Sequence, residues 1–473
     1  MRTNLFGVGI FSKSPNVTRQ LRENFYLEVN PDEDKTQVFA YGTPGLEQFV
    51  DFGATPSRGV LNFQNRKMFL VHRNKFYSVD AGATKTELGT LNTSSGLVSM
   101  AHNGQLGHQV VIVDGTNGYV YDTNSGAFAQ ITSNFTDGAT TVCFMSGWFF
   151  IDIPALGQFQ KSAAYDGTTW AAADVATAEY KPDEMMAVYA MQQQLLLFGT
   201  QSIEFWAPIP SITFPLARVP GTALDIGLAA KFSIAMLDNT PCFLSTTDKG
   251  EAQVMLLNGY QWETISTNAL ENTINNYQTV SDATAFSYSD DGHYFYQINF
   301  PSGGESWLYD RTTSLLMGQP VWSKRSSYQT GVHRGNMHTF FAGDNYVADG
   351  LTGILYKQKH ELFDDNGDPI IGRIRSKKFF GKDNENISFG ELTVDIEAGV
   401  GLPTGQGSDP IWMLRVSKDG GHTWGYERQA SAGKMGNYKE RLIYRRLGRG
   451  REWIFDLSIS DPVKRVVTGA WLR

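Results

Sequence analysis

The residues best equipped for chemistry lie near the end of the chain, in Tyr438-Lys-Glu-Arg-Leu-Ile-Tyr-Arg-Arg-Leu-Gly-Arg-Gly-Arg451. Six cationic side chains and one glutamate share these positions, with Tyr438 and Tyr444 interleaved. A guanidinium keeps its charge and offers a fixed fork of donors. Arg441, Arg445, Arg446, Arg449 and Arg451 therefore suit the carboxylates of a partner or the phosphates of a nucleic acid. The plainer alternative is a charged strand-loop-strand edge that only keeps the surface soluble. Asp364, Asn366 and Asp368 have oxygen spacing that could begin a calcium loop, but that loop needs Gly at its sixth position and Glu at its twelfth. The chain has Pro369 and Arg375 there, so a solvated turn is expected. The eight histidines form no HExxH, HxH or Cys/His cluster. No G-x-S-x-G elbow or GxxxxGK[ST] loop occurs, and Pro403 breaks the glycine run Gly399 to Gly407. No catalytic, metal or cofactor residue is expected, although propeller sites assembled from distant loops escape motif searches.

Ser417-Lys-Asp-Gly-Gly-His-Thr-Trp424 fits the S-x-D-x-G-x-T-W pattern of the Asp box, known from sialidase propellers. Its physics is that of a hairpin turn. The Asp419 carboxylate accepts backbone N–H bonds, Gly421 takes positive φ, and Ser417, Thr423 and Trp424 complete the turn, with Trp424 expected to pack beneath it. A single copy, outside any repeat and without an arginine cluster for a carboxylate, is a structural turn. It nevertheless keeps open an alternative function, a carbohydrate-binding or sialidase-like propeller.

These residues need a scaffold, and the middle of the chain supplies one by repetition. An apolar strand, a Gly/Asn/Asp turn and a second strand recur about every 46 residues, the size of a four-stranded propeller blade. The units are Phe69 to Asp80, Val110 to Asp122, Phe149 to Asp166, Leu195 to Trp206, Cys242 to Asn258, Tyr294 to Asp310 and Thr339 to Lys357. Their second strands are marked by Val79, Val120, Ala164, Phe205, Leu256, Leu308 and Leu355. Each reads as a β-hairpin. Seven units favour seven blades, with six or eight as the other closures.

Composition agrees with an all-β protein: Phe 30, Tyr 20 and Trp 10 against only 19% charged residues, with 48 glycines for turns. Cys143 and Cys242 lie in apolar runs and are expected to be free thiols. The start of the chain has too short an apolar stretch for a secretory signal, and no apolar run reaches the roughly 20 residues that cross a bilayer. A soluble protein made in a cytoplasm is expected. Net charge is −8 but unevenly spread: from Arg373 onward there are 18 Lys+Arg and 12 Asp+Glu, leaving 22 and 36 before it. The acidic body disfavours non-specific nucleic-acid binding, and the basic end could meet an acidic partner.

Three domains are expected. Residues 1–58 form an N-terminal arm that packs on the propeller or a partner, with the alternating stretch Arg22 to Pro31 and the Pro44-Gly45 turn adding a strand to one blade. Residues 59–363 form the propeller. Residues 364–473 form a β-sandwich built on Glu391–Ile396, Trp412–Val416 and Trp453–Ile459. Leu270, Ile274 and Tyr277 at i, i+4 and i+7 predict a short helix over Asn268–Gln278, on the connection between the fifth and sixth units.

Taken in order, Glu23-Asn-Phe-Tyr-Leu-Glu28, Thr43-Pro-Gly-Leu46, Ile265 to Tyr277, Ser417 to Trp424 and the Tyr438 to Arg451 run resemble the hub proteins of short-tailed bacteriophages, also called packaged-DNA-stabilisation proteins or tail nozzles. The resemblance covers most of the chain. It implies a virion tail protein without catalytic activity: a six-copy ring beneath the portal and its adaptor that continues the DNA channel, retains packaged DNA, and holds the tail needle and tailspikes or fibres. DNA would pass without sequence-specific binding, and no membrane is involved. The family patterns fall on Glu23, Tyr26 and Glu28 and on Tyr438, Arg441, Tyr444, Arg445, Arg446, Arg449 and Arg451, the expected partner or oligomer contacts. Blade loops depart from the family. A host-receptor-binding tail protein is a third reading.

Overall fold

The computed structural model describes residues 2–3, 20–31, 36–211, 214–247, 249–381 and 385–473. Each hairpin unit read from the sequence becomes the middle pair of a four-stranded antiparallel meander. In the first, Ser57–Phe63, Lys67–His72, Lys75–Val79 and Lys85–Thr90 pair in chain order. Among the described residues seven such meanders follow one another, with inner strands Ser57–Phe63, Ser99–His102, Val142–Met145, Met185–Met191, Ala235–Leu237, Thr284–Asp290 and Gly335–Phe341. Six of the seven marker residues fall in third strands; Ala164 sits one residue past its strand, Gln158–Ala163.

Several middle strands are continuous apolar runs because sheets cover both their faces, as in Val110–Val113 and Leu195–Phe198. One core joins Phe69 and Val71 of the first sheet to Val110, Ile112 and Tyr121 of the second. Another joins Phe150 and Phe159 of the third to Val188 and Leu197 of the fourth. Phe341, Tyr346 and Leu355 of the seventh pack on Met68, Leu70 and Val79 of the first, so the ring closes. The fourth strand of the seventh sheet is not downstream in the chain. Gly45–Asp51 supplies it, with Leu355 opposite Val50 and Lys359 opposite Gly45. A Cβ at Gly45 would stand 2.4 Å from the Asp364 carbonyl oxygen, so only glycine admits this approach.

The second body is a two-sheet sandwich. One sheet runs Phe25–Pro31, Thr36–Gly42, Val466–Leu472, Ile387–Ile396, Leu442–Gly450. The other runs Leu21–Glu23, Gly372–Arg375, Glu452–Ile459, Ile411–Ser417, Arg428–Ser431. Phe25, Leu27, Trp412, Leu414, Trp453, Leu457 and Val467 fill the space between. Leu21–Glu23, Phe25–Pro31 and Thr36–Gly42 are therefore sandwich strands rather than an arm lying on the propeller, and the segment before Gly59 divides between two bodies. Leu21–Glu23 also pairs in parallel with Trp322–Arg325 of the sixth meander, making one continuous sheet from propeller to sandwich.

The expected boundary at Asp364 is a tight hairpin, with Asp364 opposite Pro369 and positive φ at Asn366 and Gly367. The short helix forms over Asn268–Ile274, and the Thr267 hydroxyl accepts from the Leu270 N–H at 3.3 Å. A second helix, Arg311–Met317, was not legible as a period; Asp310 caps its start and Gly318 ends it at positive φ. Among the described residues no helix is long and apolar enough to cross a membrane. Cys143 and Cys242 are buried free thiols.

Candidate functional site

Among the described residues Leu442–Gly450 is the last strand of its sheet and pairs only with Ile387–Ile396. Strand alternation turns Leu442, Tyr444 and Leu447 inward and leaves Arg445 and Arg449 exposed. The register slips between Phe389 and Glu391, where Arg446 takes φ 60°. That bulge adds a residue, so Arg445 and Arg446 both stay outside. Arg441 and Arg451 are exposed at either end, and Tyr438 is 76% exposed.

Part of this charge is already matched. Arg445 Nε lies 3.0 Å from Glu391, which Arg473 also approaches at 3.9 Å, and Arg441 lies 3.6 Å from Asp395. The hydrogen bond from Arg445 holds the Glu391 carboxyl below its ordinary value. Arg428, in the other sheet, donates to the carbonyls of Arg445 and Arg446, which blunts the edge against further strand pairing. Arg446 and Arg449 make no ion pair among the described residues. Lys418 joins them, its ammonium 5.2 Å from the Trp453 ring centre and beside Gly448 and Gly450.

Two expected contact residues are corrected. Tyr444 is buried in the sandwich, donating to the Trp412 carbonyl at 3.0 Å, and burial pushes its phenol well up. Tyr26 is also enclosed, stacked on Tyr41 at 5.8 Å and edge-on to Phe295 and His293. Tyr444 falls on an inward position of its strand, whereas Tyr26 lies on the face opposite Phe25 and Leu27 and is covered by propeller residues such as Phe295 and Leu308, neither of which charge patterning reveals. Glu23 is half-buried and accepts from the Ser326 hydroxyl at 2.8 Å, whereas Glu28 is exposed.

The Ser417 to Trp424 segment forms the expected turn, in the sandwich. Ser417 donates to Asp419 at 2.7 Å, the Gly421 N–H donates to Ser417, and Gly421 has φ 93°. Desolvation raises the Asp419 carboxyl, but donation from the Thr423 hydroxyl and N–H and from Ser417 outweighs it and leaves the group well below the usual range. Trp424 is half-buried. The Arg375 and Arg415 guanidiniums lie 5.0 and 6.0 Å from its ring centre, and Asp456 accepts from Arg373 and Arg375.

Sequence reasoning missed the junction between the bodies. Arg465 is buried and donates to the carbonyls of Thr43, Phe363 and Ile370. Arg325 reaches Pro44 and Tyr288, and Arg22 reaches Trp322. Burial lowers Arg465 and Arg22 to about 10. The Asn24 amide bonds Ser326 and Ile371, tying the N-terminal segment to both bodies. No spacing signal could find these groups, because their partners lie between 37 and 422 residues away.

The propeller axis holds a cavity of about 800 Å³ lined by the inner strands, including Met100, His102, Phe144, Tyr189 and His338, and by Lys231 of the short turn Lys231–Ser233. Among the described residues its lining contains no carboxylate. Among the described residues no group of three or more His, Cys, Asp or Glu could hold a metal.

Comparison with known proteins places both bodies. A family profile described as the β-propeller of bacteriophage P22 Gp10 matches residues 5–361, and one described as its β-sandwich matches residues 372–473. No curated protein sequence matches. Among solved structures the chain is similar to one titled YCF48 bound to D1 peptide, at 12% identity and TM-score 0.42, covering 67% of this chain and 96% of that one. It is also similar to virginiamycin B lyase from Staphylococcus aureus, at 9% identity and TM-score 0.43, covering 64% and 95%. With its propeller and its sandwich both matched, the chain belongs to the bacteriophage P22 Gp10 family and is a structural protein of the phage tail, in the hub role.

Proposed function

We propose that this hub acts as a ring of six copies beneath the portal and its adaptor, where it continues the DNA channel, retains packaged DNA and anchors the tail needle and tailspikes or fibres. It has no enzymatic activity in this reading and is made in the host cytoplasm before joining the virion. The observation that carries the proposal is the match of the two family domains across nearly the whole chain. Two features support it. The shared sheet and buried arginines fix the sandwich to the propeller, as a part under DNA pressure requires. The acidic balance before Arg373 suits a channel wall that does not bind phosphate, while the arginine strand is turned to protein partners. The carbohydrate reading is not favoured, since both bodies match the phage family and the single Asp box is a sandwich turn.

Negative-stain images or mass photometry of the chain mixed with its adaptor should show a six-fold assembly. A chain that stays monomeric and never joins virions overturns the proposal, and a ring map with Arg441 to Arg451 lining the channel overturns the charge argument. Copies on the tail axis separate this reading from a peripheral receptor binder.

A further inference from the structure

We infer that the arginine strand of one copy docks on an acidic surface of the propeller of a second copy, a contact that rests on the ring reading above. The basic half consists of Lys418, Arg446 and Arg449, exposed at the sandwich edge and without ion pairs among the described residues, with Arg451 beside them. Exposed Tyr438 and Ile443 lie on the same strand or just before it, and aromatic and aliphatic groups beside arginine are what a protein interface uses.

The acidic half is across the disc. The sandwich joins the propeller at the sixth and seventh meanders, whereas Glu179, Asp183 and Glu184 lie on the connection from the third to the fourth and Asp225 on that from the fourth to the fifth. These two connections touch: Tyr180 donates to Asp225 at 3.1 Å, and Lys181 pairs with Asp225 at 2.8 Å, so that four carboxylates outnumber the two cations there, Lys181 and Arg218. Hydrogen bonds from Gln201 and Ser202 hold Asp183 in place. Glu179 and Glu184 remain exposed and have no ion pair among the described residues.

The two halves carry opposite charge and sit on opposite sides of one rigid molecule, so they cannot meet within a copy. Between copies they form a heterologous, head-to-tail contact, the type that closes into a ring when the rotation permits. Charge complementarity commits the occupant: the carboxylates that fit the arginine strand are present in every neighbouring copy.

The test uses the full chain supplied to particles that lack it, with rings counted in negative-stain images of tails. R446E/R449E and E179K/E184K should each lower ring formation more than about ten-fold, since like charges across an interface cost several kcal/mol. A mixture of the two variants should restore rings, because every contact in an alternating ring then pairs opposite charges. Combining all four substitutions in one chain should restore them as well. Unchanged near-ultraviolet circular dichroism and melting show that each variant folds. Rings that form normally with both reversed variants overturn the contact and leave the six-copy reading intact. Loss with R446E/R449E that neither the mixture nor the four-fold variant repairs shows a different acidic partner and also overturns it. A wild-type chain that forms no ring in any particle overturns the six-copy reading itself.

Discussion

Arg465 shows how a single residue can hold a domain junction. Its guanidinium serves three carbonyls, that of Thr43 and those of Phe363 and Ile370 at either end of the hairpin between the bodies. Arg465→Ala leaves those acceptors buried and unserved, at about 1–3 kcal/mol each, so a loss of at least about 3 kcal/mol in urea unfolding is expected. His293 adds a pH dependence at the same junction. Desolvation lowers its value, but the hydrogen bond and charge of Asp310, 2.9 Å away, together with Glu28 and Asp291, prevail and raise it. Its contribution is fully present below the unfolded value of about 6.5 and is lost as pH rises through the folded value. His333 acts in the opposite sense: buried and held neutral well below its ordinary value, it contributes above about pH 6.5 and loses that contribution as pH falls. Unfolding curves at about pH 6 and 8 should therefore differ between wild type and His293→Gln, with the variant losing stability mainly at the lower pH. A variant penalty that grows with pH would contradict the assignment. None of this was legible in the sequence. Spacing does not distinguish a buried arginine from a surface one.

At the scale of elements, local pairing made most of the fold readable. Hairpins such as Lys67–His72 with Lys75–Val79 have their turn residues between them, so apolar runs and turn types suffice to find them. The Asn268–Ile274 helix was equally accessible through its periodicity. Thr267→Ala should cost about 1 kcal/mol in thermal unfolding, through loss of the cap. The segment 21–51 was not accessible in this way. Its strands pair with residues 322–325, 354–359, 372–375 and 466–467, and no local pattern names those partners. Two truncations separate its roles. Removal of residues 1–43 takes Phe25, Leu27 and Ala40 from the sandwich core and should make residues after 372 protease-sensitive while the propeller survives. Removal of residues 1–52 also takes the strand that completes the seventh meander, and the propeller should then open as well.

For the whole molecule, the ten-stranded sheet that passes from the sixth meander through Leu21–Glu23 into the sandwich makes one mechanical unit. Calorimetry should give a single transition for the full chain. Trp453→Ala, at a fully buried sandwich position, should lower that common transition by about 3–5 kcal/mol rather than split off a separate one. Two resolved transitions in the wild type would contradict the coupling. The sequence by itself determined the repeat, the β class, the charge division and the family pattern. Each depends on residues close together or on composition, where short loops make pairing cheap in entropy. The tertiary structure alone decided what covers Tyr26 and Tyr444 and where the strands between residues 21 and 51 pair. It also decided that buried arginines lock propeller to sandwich. Those outcomes rest on contacts between distant segments, whose free energy comes from burial that exists only once both bodies have formed.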